Sequence, residues 1–239
     1  MFRPCSPTST SPTTFSRRLS NGSAPPNEVT GRSPVTALAL RIKPQPVAVV
    51  AGIIIGIFLV AGILQRVSFP GWAVANLDSE VSIATSFSAA LLWLGSFWWL
   101  LVAFNAQPRS RPLWVWWLIV GWLALDEGNA IHERLERWTG VDWQLLYLPL
   151  LAVAGVTWAL VVRRFRVNRT IVGLLVGAAG VWGIALVLEL VQNWGGVPIR
   201  ASIYDPTMIV EEILEMLGSL QLLIAAMLAL RVVSNGEDS

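Results

Sequence analysis

Charge is what this sequence has least of: only 13% of its 239 residues are Asp, Glu, Lys or Arg, against about 25% in a soluble domain. Apolar runs of about 20 residues recur in place of that charge, each long enough to cross the hydrocarbon layer of a bilayer. Cysteine is almost missing. Cys5 stands alone, which excludes an intrachain disulfide and leaves the redox compartment unreadable. His132 is the single histidine, too few for the multi-histidine centres of membrane hydrolases and desaturases. No phosphate-binding loop, dinucleotide fingerprint or Ser-His-Asp order can be placed. The net charge of +2 does not mark a nucleic-acid binder, because the basic residues sit between the apolar runs and form no single patch.

Residues 1–44 are rich in Ser, Thr and Pro and poor in large apolar side chains. Such a segment buries too little surface to offset its ordering entropy, so a disordered tail is expected. It has no apolar core of its own, unlike a secretory signal peptide. Its arginines and near lack of acids also fit an organellar transit peptide, but a cytoplasmic tail is the preferred reading. Six spans follow, at 47–64, 83–104, 113–125 with a polar helical continuation to 138, 145–162, 171–188 and 208–230. The expected fold is therefore all-α: a polytopic membrane helix bundle with six transmembrane helices over 45–232 and a short polar tail at 233–239. Gly52 with Gly56, and Gly173 with Gly177, have the spacing of close helix contacts. Trp72, Trp114, Trp138, Trp143 and Trp194 fall at span ends, as interfacial anchors do.

Basic residues orient the stack. Arg3, Arg17, Arg18, Arg32, Arg41 and Lys43 precede the first span, Arg109 and Arg111 join the second to the third, Arg163, Arg164, Arg166 and Arg169 join the fourth to the fifth, and Arg231 follows the sixth. Arg66, Arg134, Arg137 and Arg200 remain for the other side. By the positive-inside rule both termini face the cytoplasm; the plasma (inner) membrane is the expected location, ahead of an organellar one.

All but three of the 15 acidic residues then fall on the outer side: Asp78, Glu80, Asp126, Glu127, Glu133, Glu136, Asp142, Glu189, Asp205, Glu211, Glu212 and Glu215. Asp126 lies roughly 21 Å along its helix from Pro112, and Glu215 roughly 13 Å along the sixth helix from Pro206, so the two reach similar depth within the apolar layer. If the third helix runs unbroken to 138, Asp126, Asn129 and Glu133 share one face, bordered by His132, while Glu127 turns away toward Arg134. Glu189 ends the fifth helix near the same level. Lipid exposure would cost a few kcal/mol per ionised group, so an inward orientation is expected.

Carboxylates crowded in a low-dielectric layer must be balanced by protons or by a cation. Several carboxylates with one imidazole suit zinc, manganese or iron. The expected metal ligands are Asp126, His132, Glu189, Glu212 and Glu215, with Asp126 and Glu133 as catalytic candidates and Glu133 as general base. Two alternatives stand beside this divalent-metal enzyme. One is a proton- or cation-coupled carrier using Asp126 and Glu215. The other is an accessory subunit whose acids only cap and pack helices, with Asp205-Pro206 starting the sixth. The lipid bilayer is the expected partner and nucleic acid is not; substrate and oligomeric state are open.

Leu125-Asp126-Glu127 followed by His132-Glu133, together with Glu211-Glu212-Ile213-Leu214-Glu215-Met216-Leu217-Gly218, resembles a group of uncharacterised bacterial multi-pass membrane proteins in which these two elements recur. The resemblance covers the last four spans. It implies a bacterial inner-membrane protein and no particular activity.

Overall fold

The computed structural model describes residues 33–67, 83–193 and 201–236. Expectations resting on residues 1–32, Trp72, Asp78, Glu80, Trp194, Arg200 and the last three residues lie outside that range. Every regular element among the described residues is an α-helix: α1 (Pro34–Arg41), α2 (Pro44–Val67), α3 (Ile83–Asn105), α4 (Arg111–Asn129), α5 (Ile131–Thr139), α6 (Trp143–Arg164), α7 (Arg169–Asn193) and α8 (Ala201–Asn235). Lipid offers a backbone no hydrogen-bond partner, so an apolar chain must satisfy its own N–H and C=O groups, and helices do this locally.

Five of the helices, α2, α3, α6, α7 and α8, are long and apolar enough to cross a membrane. The sequence reading counted six spans. The difference is α4, which carries Arg111 at its start, Asp126 and Glu127 near its end and four tryptophans between them. It is still packed inside the bundle, between α3 and α6. A second difference lies just beyond it. The polar continuation to 138 is a separate helix, because Ala130 takes the left-handed conformation (φ 48, ψ 50) and ends α4. A third difference is the tail. Residues 34–41, expected to belong to the disordered tail, form α1, with Thr36 and Ala39 buried. Finally, α8 begins at Ala201, ahead of the Asp205-Pro206 pair expected to start it.

α8 is the central post, packed against α3 and α7 over most of its length and against α2 more lightly. Met216, Leu223, Ala226 and Leu230 are buried on it, whereas α2 leaves Val49, Ile53, Ile57 and Val60 exposed for lipid chains. At the α3–α8 crossing, a Cβ on Gly95 would lie 3.6 Å from the Leu223 backbone, the close approach that small residues permit. The expected glycine pairs are different: Gly52, Gly56 and Gly173 have no neighbour within 4 Å, and Gly177 faces Gln221. Gly218 on α8 matters more, because a Cβ there would run into the Trp182 indole of α7. Gly218→Ala is expected to lose about 1–3 kcal/mol through overpacking. Gly52→Ala should change stability by under about 1 kcal/mol, in the stabilising direction, through helix propensity. Thermal unfolding of the two variants in detergent compares them directly.

The two ends of the bundle differ in charge. At one end Arg164 Nη2 donates to the Gln107 carbonyl at 3.3 Å and Arg231 Nη2 to the Ile42 carbonyl at 3.1 Å. There Asn105 Nδ2 also donates to Thr36 Oγ1 at 3.2 Å. The carboxylates of α4, α7 and α8 gather toward the other end.

Candidate functional site

The site is built around the break at Ala130. The Ala130 N–H closes α4 on the Asp126 carbonyl, and α5 then starts with no side-chain cap of its own at Ala130. Asp126 supplies one from the preceding turn. Its Oδ1 accepts the His132 backbone N–H at 2.8 Å, and its Oδ2 lies 3.2 Å from His132 Nδ1. A carboxylate at a helix N-terminus is favoured by the exposed N–H groups and by the helix dipole. A third donor comes from α6, where Tyr147 Oη donates to Asp126 Oδ1 at 3.1 Å. Asp126 is only 7% exposed, so these bonds, rather than water, satisfy its oxygens.

A left-handed conformation costs a non-glycine residue about 1–2 kcal/mol, while glycine adds roughly 0.5–1 kcal/mol of chain entropy. Ala130→Gly is therefore expected to raise stability by about 0.5–1 kcal/mol, read as a higher midpoint in thermal unfolding.

α6 brings the next layer. Its first turn is capped by Asp142, which accepts the Gln144 N–H at 2.9 Å. This sets Trp143 and Tyr147, one turn apart, on the inner face, and their rings meet edge to face at 5.4 Å. The Trp143 ring also lies 4.9 Å from that of His132. Its indole N–H donates to Glu189 Oε1 of α7 at 2.6 Å. One side chain thus ties α5, α6 and α7 together.

Glu127 follows Asp126 and so points about 100° away around α4, toward α3 and α8. It faces Ser88 and is within electrostatic reach of His132, Asp126 and Glu189. Glu215 of α8 in turn has Glu127, Glu189, Glu211 and Glu212 around it. Behind this pair the buried hydroxyls of Ser88 and Ser219 lie 3.3 Å apart, joining α3 to α8.

These groups share a cavity of about 300 Å³ between α4, α6, α7 and α8, a volume at the lower end of ligand pockets. Asp126, Glu127, His132, Glu189 and Glu215 line it with Trp143 and Tyr147. Trp116, Ile119, Leu150, Leu151, Trp158, Leu175, Leu186 and Leu222 supply apolar wall. None of the described lining residues is Lys or Arg. The Trp158 indole N–H donates to the Leu175 carbonyl at 3.1 Å, which joins α6 to α7 along the apolar part.

Four of the residues singled out in the sequence, Asp126, His132, Glu189 and Glu215, thus meet on one wall. Glu212 stands beside Glu215 without lining the cavity. Glu133 is elsewhere: it pairs with Arg137 at 3.7 Å, one turn along α5, both side chains well exposed. The metal expectation over Asp126, His132, Glu189, Glu212 and Glu215 is not supported. Among the described residues no three His, Cys, Asp or Glu side chains are placed to hold one ion. The reason is local: the Asp126 oxygens are taken up by His132 and Tyr147, and a Glu189 oxygen by Trp143. Glu127 and Tyr147 were missed. Glu127 was assigned toward Arg134, on the assumption that one straight helix carried both. The signal for Tyr147 was its place one turn after Trp143, a residue read only as an interfacial anchor.

Apolar helices around a carboxylate-lined cavity define a helical membrane protein with an internal polar site. The chain belongs to the family described as Domain of unknown function (DUF8692), which matches residues 35–230 and so takes in the whole cavity. No curated protein and no solved structure matches it.

Proposed function

We propose that this protein is a proton- or cation-linked carrier and that the cavity is its binding site. It crosses the plasma membrane six times, with α4 as the span of lower hydropathy. The arginine-bearing end and both chain termini face the cytoplasm, as the distribution of basic residues requires. One observation carries the reading: carboxylates from three helices, Asp126 and Glu127 on α4, Glu189 on α7 and Glu215 on α8, line one largely apolar cavity on which no described Lys or Arg stands.

Charge balance gives that observation its meaning. Ionised carboxylates inside the membrane layer are expensive and require a proton or a cation. Asp126 has three donors and Glu189 has the Trp143 indole. Glu215, by contrast, has other carboxylates, Glu127, Glu189, Glu211 and Glu212, as its electrostatic neighbours. Glu127 and Glu215 are therefore the pair that exchanges a proton or cation. Asp126 holds His132 and Tyr147 in place as a positioning residue. Glu133, out on the surface of α5, takes no part.

Infrared difference spectra of the ligand-free protein in nanodiscs, between acid and alkaline buffer, test this. A carboxylic-acid carbonyl band is expected in the wild type and should shrink in Glu127→Gln and in Glu215→Gln. A spectrum with no such band, or one unchanged in both variants, overturns the carrier reading.

A further inference from the structure

We propose that the ligand of this cavity is an elongated amphiphilic amine, bound with its ammonium group among the carboxylates and its apolar tail along the wall toward Trp116. The inference rests on the carrier reading and adds the chemical class of what is carried. A small inorganic ion would leave most of the cavity unfilled, because its wall is largely apolar and extends well past the acids. A neutral or anionic lipophile would make no charge pair with the carboxylates that line it, Glu127 and Glu215 above all. An organic cation meets both conditions, and the Trp143 ring beside these carboxylates offers it a π face.

Trp116 marks the far reach of the apolar wall: it lies ten residues before Asp126 on α4, roughly 15 Å along the helix, and lines the same cavity. The ligand is therefore a chain molecule with a cationic head and an apolar tail of about that length.

Equilibrium binding of dodecylamine, dodecanol and dodecanoate to the protein in nanodiscs, with empty nanodiscs subtracted, tests the assignment. The amine is expected to bind at least about tenfold tighter than the alcohol of the same chain, and the acid weakest. Glu127→Gln together with Glu215→Gln should remove most of that preference. Equal or tighter binding of dodecanol or dodecanoate to the wild type overturns the proposal, whether or not the variants fold. The ligand-free infrared band is read independently. If it is present while the amine preference is absent, only the ligand class fails; if it is absent, the carrier reading fails.

Discussion

Asp126→Ala is expected to cost about 3 kcal/mol of stability, the largest loss for any single carboxylate here. The substitution takes the acceptor from three donors at once: the His132 N–H, His132 Nδ1 and the Tyr147 hydroxyl. A buried donor left unmade costs about 1–3 kcal/mol, and a hydrogen bond to a charged group contributes about 1.5–3 kcal/mol. The full sum is not expected. The His132 side chain is 18% exposed, so water can recover part of its loss. Asp126→Asn keeps a carbonyl oxygen for the two bonds that Oδ1 accepts and should lose about 1 kcal/mol. The control is Glu133→Ala, whose pair with Arg137 is exposed and contributes under about 1 kcal/mol. Thermal unfolding by circular dichroism in detergent gives the ranking, with about 2–4 °C per kcal/mol for a chain of this size. A drop for Asp126→Ala no larger than that for Glu133→Ala would show that the bonds around α5 hold nothing together.

The second large effect concerns transport. Glu127→Gln combined with Glu215→Gln should reduce amine-driven dissipation of an imposed pH gradient in proteoliposomes by on the order of tenfold or more, within the usual span of ligand–proton coupling energies. The amide keeps the shape of the carboxyl group and its place beside Ser88, but neither takes up a proton nor balances a cation. Binding and coupling then separate: each single variant retains one exchangeable carboxylate and should lose less than the pair. Folding is at issue less than for Asp126, since the electrostatic neighbours of Glu215 are other carboxylates, Glu127, Glu189, Glu211 and Glu212, whereas Asp126 accepts three bonds. Transport in the double variant at the wild-type rate would assign the proton to another group.

Much of the acidic site could be read ahead of the structure, and the reasons it was incomplete are specific. Asp126 and Glu215 were recognisable because each is an ionisable residue well inside an apolar run, where an unbalanced charge is costly. Glu189 and His132 followed from depth, since rise per residue converts position in a helix into level in a bilayer. Glu133 and Glu127 were misplaced together, by one cause. Helical faces were projected through residue 130 as if α4 continued, and a single left-handed residue resets the direction of everything after it. Alanine in that conformation leaves no mark in composition or periodicity. The metal expectation finds no support among the described residues for a related reason, because spacing says which acids lie close together and not which donors occupy their oxygens.

The sequence by itself determined that this chain is helical, with apolar runs long enough for a bilayer, and that most of its arginines and most of its carboxylates fall in different connections between those runs. Runs of apolar residues and the alternation of charge between them are one-dimensional properties, and the membrane turns them into geometry. Only the tertiary structure decided which carboxylates share a cavity and that Trp143 joins three helices. It also decided that Gly218, and not the more obvious glycine pairs, makes the tight contact. Helices that are apolar on every side carry no stripe announcing which face meets which neighbour, so their packing, and with it the cavity, exists only once the bundle has formed.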